Sequence, residues 1–188
     1  MSTTEKARLR DTLGAARRAR TPDDLAAARA RVATQVLARV DAEQPDCVAA
    51  YEALRTEPGS TQLLTALHER GVRVLVPLIQ PDRDLDWVTW TPDGIGSALG
   101  VTAIGAAGLV LVPALAVALD GTRLGRGGGS YDRALCRCSA GALTAALLFE
   151  DEVLPALPRD PWDRPVDCAL TPQGWQRLGR NTDDGEAR

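Results

Sequence analysis

Apolar positions in the first forty residues recur at the three- and four-residue spacing of helices. Leu9, Leu13 and Ala16 form one such stripe, and Ser2-Thr3-Thr4-Glu5 before it has the form of a capping box, so a helix is expected over about Thr4–Arg18. Thr21-Pro22-Asp23-Asp24 supplies an N-cap, a first-turn proline and first-turn acids for a second helix, alanine-rich, that reaches Val40. The pattern then changes. Asp46–Tyr51, Val72–Val76, Leu109–Val112, Ala142–Phe149 and Val166–Leu170 are short apolar runs, as strands buried on both faces are. Glu57-Pro58-Gly59-Ser60 caps a third helix over Thr61–Arg70, which Gly71 ends, and the order strand, helix, strand predicts a right-handed parallel crossover. Pro77 is expected to stop the strand before it, Leu85–Trp90 to form a short edge strand, Thr91–Ala107 to be irregular and Glu152–Leu157 to be a turn or short helix. The expected fold is α/β, a three-layer sandwich with a largely parallel central sheet. One domain is expected over residues 1–178, followed by a polar, frayed tail over 179–188.

Composition narrows the function. With 188 residues, 45% of them hydrophobic, the chain is long enough for one well-buried core. Its longest apolar stretch, Ala106–Leu119, is broken by Gly108 and Pro113 and too short to span a bilayer, and the N-terminus lacks a signal-peptide core. A soluble cytoplasmic protein without a membrane partner is expected. Four cysteines show neither disulfide-scaffold density nor paired CxxC motifs, so reduced thiols are expected. A net charge of −3 argues against nucleic acid as a partner. The balance is uneven, however: residues 1–40 hold nine Lys/Arg against four Asp/Glu, a local +5 suited to a polyphosphate or polyglutamate or to a solvated helix face. Lys6 is the only lysine in the chain.

The richest stretch is Gly121–Arg133, GTRLGRGGGSYDR. Gly127, Gly128 and Gly129 carry no side chains to hold an anion off and can turn successive N–H groups toward it. Ser130 stands where an N-cap belongs, and a helix opening at Tyr131-Asp132-Arg133 would add the partial positive charge of its start. Arg123, Arg126 and Arg133 could add full charges with forked donors. The run matches neither a Walker A loop nor GxGxxG at its usual spacing.

With Val112-Pro113-Ala114 before it, Gly121-x-Arg123-Leu124-Gly125-x-Gly127-Gly128-Gly129-x-Tyr131-Asp132-Arg133 resembles the signature loop of 5-formyltetrahydrofolate cyclo-ligases, also called methenyltetrahydrofolate synthetases. Lys6-Ala7-Arg8-Leu9-Arg10 resembles that family's first helix, and Glu57 with Thr61 its Glu-x-x-x-Thr element. The resemblance implies a Rossmann-like fold and conversion of 5-formyltetrahydrofolate to 5,10-methenyltetrahydrofolate with ATP as co-substrate and Mg²⁺, by a monomer. It implies Lys6, Tyr131 and Arg133 as catalytic residues. It further implies Lys6, Arg10, Arg123, Gly125, Gly127, Gly128, Gly129, Ser130, Tyr131 and Asp132 around the nucleotide, with Asp132 on the metal. On the folate side stands Glu57, with Trp87 or Trp90 as a wall for the pterin. Arg123 and Arg133 have an alternative as partners of Asp120 and Asp132. The chain departs from the family pattern at Ala118, Arg126, Ser130 and Trp162. Two other readings follow: a non-catalytic relative that binds nucleotide or folate, and a sugar-phosphate isomerase of similar fold.

Overall fold

The structure, a computed structural model, describes residues 2–179. The side chains of Ser2 and Thr3, on which the expected capping box rests, and the tail beyond residue 179 lie outside the described residues.

Two long helices, α1 (Ser2–Ala19) and α2 (Pro22–Glu43), open the chain. Thr21 caps α2, its hydroxyl accepting from the Asp24 N–H at 3.1 Å, and Pro22 follows as expected. The core of the fold is an eight-stranded sheet. Its five middle strands, in spatial order β10 (Cys168–Thr171), β8 (Leu143–Leu147), β5 (Leu109–Pro113), β1 (Cys47–Ala49) and β2 (Arg73–Ile79), are all parallel to their neighbours. Antiparallel strands finish both edges: β3 (Leu85–Thr91) and β4 (Gly94–Ala98) beyond β2, and β11 (Gly174–Arg177) beyond β10. Helix α3 (Thr61–Glu69) makes the crossover from β1 to β2, capped by the Ser60 hydroxyl at 3.2 Å from the Leu63 N–H.

The two-residue period of the strands divides the core. Val48, Val74, Leu109 and Leu147 face Val32, Val36 and Val40 of α2 and Leu63, Leu64 and Leu67 of α3. Ala49, Leu75, Val110, Val112 and Ala146 face the other way, toward Ile104 and toward Ala134 of a short helix, α4 (Ser130–Leu135). On that second side lies a small sheet, β7 (Arg123–Leu124), β6 (Ala116–Ala118) and β9 (Val153–Leu154), on which Leu9 and Leu13 of α1 pack. No described helix is long and apolar enough to cross a membrane.

Three local expectations are corrected. Strand β2 runs through Pro77, because β1 has already ended beside Leu75. The Leu75 carbonyl accepts from the Ala50 N–H, so two residues on the missing proline N–H faces a side with no partner strand. Strand β3 is not an edge, since part of the supposedly irregular 91–107 stretch pairs with it as β4, a glycine-rich strand with all five residues exposed. Ser130 is the first residue of α4 and not its cap: Gly129, in the left-handed region at φ 66°, holds the cap position with no side-chain bond.

Helix α1 is fixed by charge as much as by apolar contact. Arg17, 2% exposed, grips Glu152, also 2% exposed, with Nε on Oε1 and Nη2 on Oε2, both at 2.7 Å. Nη2 also donates to the Ala114 carbonyl at 2.6 Å, and Glu152 accepts from the Phe149 N–H at 3.0 Å. Burial alone would lower the Arg17 pKa, but the Glu152 carboxylate more than offsets it and the net shift is upward. Removing one partner leaves a buried charge without its counterion. Arg17→Leu should therefore cost about 3–5 kcal/mol in urea denaturation, and Arg17→Leu/Glu152→Leu should recover much of that loss. Equal stability of wild type and Arg17→Leu would show that the pair does not anchor α1.

Candidate active site

Strand β1 is the turning point of the sheet: the chain leaves it outward to β2 and later returns to its other side to build β5, β8 and β10. A cleft of about 560 Å³ opens at the carboxyl ends of these strands, floored by Tyr51 after β1, Pro77 and Ile79 of β2, and Pro113 and Ala114 at the end of β5. Such a turning point is where open α/β sheets bind ligands, and the volume lies in the range of small-molecule sites.

Four segments furnish the walls. Helix α1 presents Lys6 and Arg10, one turn apart. The Lys6 Nζ donates to Asp160 Oδ2 at 2.7 Å and Asp163 Oδ2 at 2.5 Å. Burial works to lower its pKa, yet the two carboxylates win and raise it above the usual lysine value. Arg10 Nε donates to the Gly125 carbonyl at 2.9 Å, so the helix is tied directly to the glycine loop.

The loop itself is shaped by positive φ at Gly127 (101°) and Gly129 (66°), a conformation in which a side chain would be strained. Gly125 is needed for space: a Cβ there would stand 2.6 Å from Nη1 of Arg123, which is only 7% exposed. Arg123 Nη2 donates to Asp132 Oδ1 at 3.0 Å, and the Arg164 N–H donates to the same oxygen at 3.1 Å. Both of these bonds leave Oδ2 of Asp132 for a ligand. Tyr131 precedes Asp132 with its hydroxyl buried and unpartnered. Burial drives its pKa well up, with Arg123 pulling the other way, so the phenol stays neutral and able to donate.

On the opposite wall Glu57 is 3% exposed. Its Oε2 accepts from the Leu54 N–H at 2.9 Å, and Oε1 from Arg126 Nη2 at 3.2 Å. The Tyr51 hydroxyl is also buried without a partner, and burial raises its pKa far above the ordinary value. The fourth wall is the 160–163 segment, where Trp162 lines the cleft while 68% exposed. Exposed Ile79 and Leu54 continue this apolar rim.

The cleft thus gathers Lys6, Arg10, Glu57, Arg123, Gly125, Gly127, Gly128, Gly129, Ser130, Tyr131 and Asp132. Three expected residues stand elsewhere. Trp87 does not line the cleft; it lies on the core-facing side of β3 with no exposed surface, packed among Leu75, Leu85 and Ile104, and so cannot wall a pterin. Trp90 points to the opposite core and donates to Glu52 at 3.3 Å. Arg133 turns from the cleft because Tyr131 and Asp132 occupy the inward face of α4. Together with Arg137, one turn on, it reaches Asp84 in the β2–β3 turn, at 3.7 Å against 2.6 Å for Arg137. Those cations hold the Asp84 carboxyl at about 2, the hydrogen bond from Arg137 being the largest cause. Asp120 spends its oxygens on its own turn, accepting from the Thr122 N–H and hydroxyl at 2.8 and 3.0 Å. Residues not foreseen as site members are Tyr51, Asp160, Trp162 and Asp163. For the last three the signal was Asp160-Pro161-Trp162-Asp163, two acids and a tryptophan in a proline-containing loop.

A cleft this rich in anion-binding groups, set where the strand order turns, makes the protein an α/β enzyme of the nucleotide-using class. The profile of the 5-formyltetrahydrofolate cyclo-ligase family matches residues 2–172, and the chain belongs to that family. A 5-formyltetrahydrofolate cyclo-ligase from Mycolicibacterium smegmatis is 39% identical over 142 residues, which cover 67% of this chain and 73% of that protein. The 5,10-methenyltetrahydrofolate synthetase of Mycoplasma pneumoniae has the same fold, with a TM-score of 0.77 at 19% identity over 89% of this chain and 99% of that one. The synthetase of Aquifex aeolicus gives 0.70 at 23% identity, over 97% and 94%. As a family member the chain is an ATP-dependent ligase that converts 5-formyltetrahydrofolate to 5,10-methenyltetrahydrofolate.

The geometry of Gly125 gives a direct test of the loop. Gly125→Ala should push the Arg123 guanidinium off Asp132 and raise the Kd for ATP about tenfold, or about 1.4 kcal/mol, whereas Gly141→Ala, whose Cβ would meet nothing within 4 Å, should leave it unchanged. Equal ATP affinity in both variants by calorimetry would remove the Arg123–Asp132 pair from the nucleotide site.

Proposed function

We propose that ATP lies along the glycine loop with its phosphates between Lys6, Arg10 and Arg123, and that the folate lies across from it against Glu57, Tyr51 and Trp162. What supports this reading is that groups from five distant stretches of sequence meet in one cleft with buried hydrogen-bonding capacity to spare. Among the described residues the Tyr51 and Tyr131 hydroxyls and Arg123 Nε have no hydrogen-bond partner. Buried polar atoms left so call for a ligand, an ion or an ordered water. Lys6 has three N–H donors and gives two to Asp160 and Asp163, which leaves the third for a phosphate oxygen.

The chemistry needs ATP because the N5-formyl oxygen is amide-like and leaves poorly. That oxygen attacks the γ-phosphorus and ADP departs. N10 then attacks the activated formyl carbon and gives up its proton, and the C–O bond breaks to release phosphate and the methenyl product. The protein's part is positioning and charge stabilisation. Lys6, Arg10, Arg123 and the loop N–H groups hold the phosphate oxygens in line with the formyl oxygen. The neutral Tyr131 phenol donates there without adding charge. Glu57, kept in place by the Leu54 N–H and Arg126, takes hydrogen bonds from the folate's ring N–H groups. Trp162 offers the flat face that Trp87 cannot.

Among the described residues no three His, Cys, Asp or Glu side chains converge as a metal cage. One carboxylate nevertheless suits magnesium, which takes one or two together with phosphate oxygens and waters, and the Oδ2 that Asp132 keeps from Arg123 and Arg164 supports it as that carboxylate. A magnesium ion there would neutralise phosphate charge. The enzyme is read as a cytoplasmic monomer acting on small molecules, with no nucleic-acid partner.

Incubation with 5-formyltetrahydrofolate and MgATP should produce methenyl absorbance; ligand binding without it would mean a binding-only relative. Asp132→Asn should raise the magnesium requirement and lower kcat/KM tenfold or more, about 1.4 kcal/mol of transition-state stabilisation. Superimposable magnesium titrations for the two proteins would remove Asp132 from the metal. Lys6→Ala should raise the KM for ATP about tenfold. Because the folded Lys6 pKa is raised, its contribution to stability is complete below the unfolded value of 10.5 and disappears as pH rises through the folded one. The stability gap between wild type and Lys6→Ala should therefore be flat across neutral pH and close only in strong alkali. A gap that closed between pH 7 and 9 would exclude the ion pairs as its source.

A further inference from the structure

A second cavity, of about 620 Å³, lies where the end of α1 meets the first turns of α2, apart from the residues that line the cleft. Its lining holds five arginines, Arg17, Arg18, Arg20, Arg29 and Arg55, and no acidic residue. Two of them have carboxylate partners: Arg17 with Glu152 and Arg20 with Asp151. Among the described residues Arg18, Arg29 and Arg55 have none within 4 Å. Donors are also left over. Arg17 Nη1 and Arg20 Nε are buried with no hydrogen-bond partner, and Arg17 is only 2% exposed. Five guanidinium groups around one cavity repel each other, and idle buried donors add to that cost. An anion in the cavity relieves that repulsion. Between the arginines the wall is aliphatic, made by Leu25, Ala26 and Ala33, which suits a short methylene spacer between charged groups.

We propose that this cavity binds a second anionic ligand, one carrying two or more carboxylate or phosphate groups. The site is coupled to the cleft through one loop. Arg29 donates to the carbonyls of Leu54, Arg55 and Glu57 at 3.0–3.1 Å. That loop turns Leu54 and Glu57 toward the cleft and Arg55 and Thr56 toward the cavity. A ligand that draws on Arg29 or Arg55 therefore bears on the segment that positions Glu57. Two sources share the required chemistry: the glutamate end of the folate itself, reaching round the loop, and a free oligoanion.

Direct binding tests the site whether or not the protein turns over folate. Tripolyphosphate and tricarballylate are titrated by calorimetry into the full chain saturated with ADP, and into Arg18→Glu/Arg55→Glu under the same conditions. Both substituted side chains are exposed and make no hydrogen bond among the described residues, so the fold is expected to survive. If thermal melting shows otherwise, Arg18→Gln/Arg55→Gln replaces the variant. The expected result is one site per wild-type chain, weakened tenfold or more in the variant, with ADP affinity the same in both. Absence of binding to wild type, or equal affinity in the variant, overturns the proposal. Steady-state kinetics separates the sources. A raised KM for folate at unchanged KM for ATP, with free anions competing against folate, assigns the cavity to the substrate's glutamate end; an unchanged folate KM assigns it to a free anion.

Discussion

The buried pair between Arg17 and Glu152 is the contact on which the cleft depends. Helix α1 is not part of the central sheet's two main cores; it lies on the small β7-β6-β9 sheet through Leu9 and Leu13. That apolar contact alone is thin for an eighteen-residue helix. The Arg17 fork adds two charge-assisted bonds to Glu152 and a third to the Ala114 carbonyl, beside the carboxyl end of β5. It thereby fixes both the rotation of α1 and its position along the axis. Lys6, Arg10, Leu13 and Arg17 are spaced by four, three and four residues, so they share one face. With Arg17 held at one end, Arg10 meets the glycine loop and Lys6 meets Asp160 and Asp163 at the other. A side chain that never touches the cleft sets where two of its cations stand.

The glycine loop was legible because its constraint is local. Positive φ at Gly127 and Gly129, and the lack of room for a Cβ at Gly125, are properties that a sequence shows directly as glycine. The parallel middle of the sheet was legible for a similar reason, since strands buried on both faces leave continuous apolar runs. Trp87 was not. In Leu85-Asp86-Trp87-Val88-Thr89-Trp90 both tryptophans look equally available, and only the two-layer packing shows that one faces each core. The partner that takes β3 off the edge is glycine-rich and fully exposed, so it carries none of the apolar signal that marks a strand. Arg133 was misplaced by a quarter turn. Sequence adjacency to Tyr131 and Asp132 suggested a shared target, but the residue that shares one is Arg137, in the turn after α4, and Asp84 collects both.

Charge in the cleft is prearranged in pairs. Lys6 is held by Asp160 and Asp163, Arg123 by Asp132 and Arg126 by Glu57, so three of the four cations that line it have carboxylate partners. Such pairing lowers the net field that draws ATP in. It also holds flexible side chains in place before any ligand arrives, so less ordering is left to occur on binding. The Arg123 pair gives Asp132 a structural part in the cleft as well. Removing its charge would release Arg123 from the wall against Gly125, and the Arg164 N–H would lose its anchor. The 160–164 segment is consequently tied to two walls of the cleft, through Lys6 at one end and Asp132 at the other, and Trp162 is carried between them over the cleft. The backbone that carries this exposed ring is therefore held at both ends, by the ion pairs of Asp160 and Asp163 with Lys6 and by the bond from the Arg164 N–H to Asp132, so where Trp162 stands at the cleft mouth is set by charge geometry rather than by apolar packing.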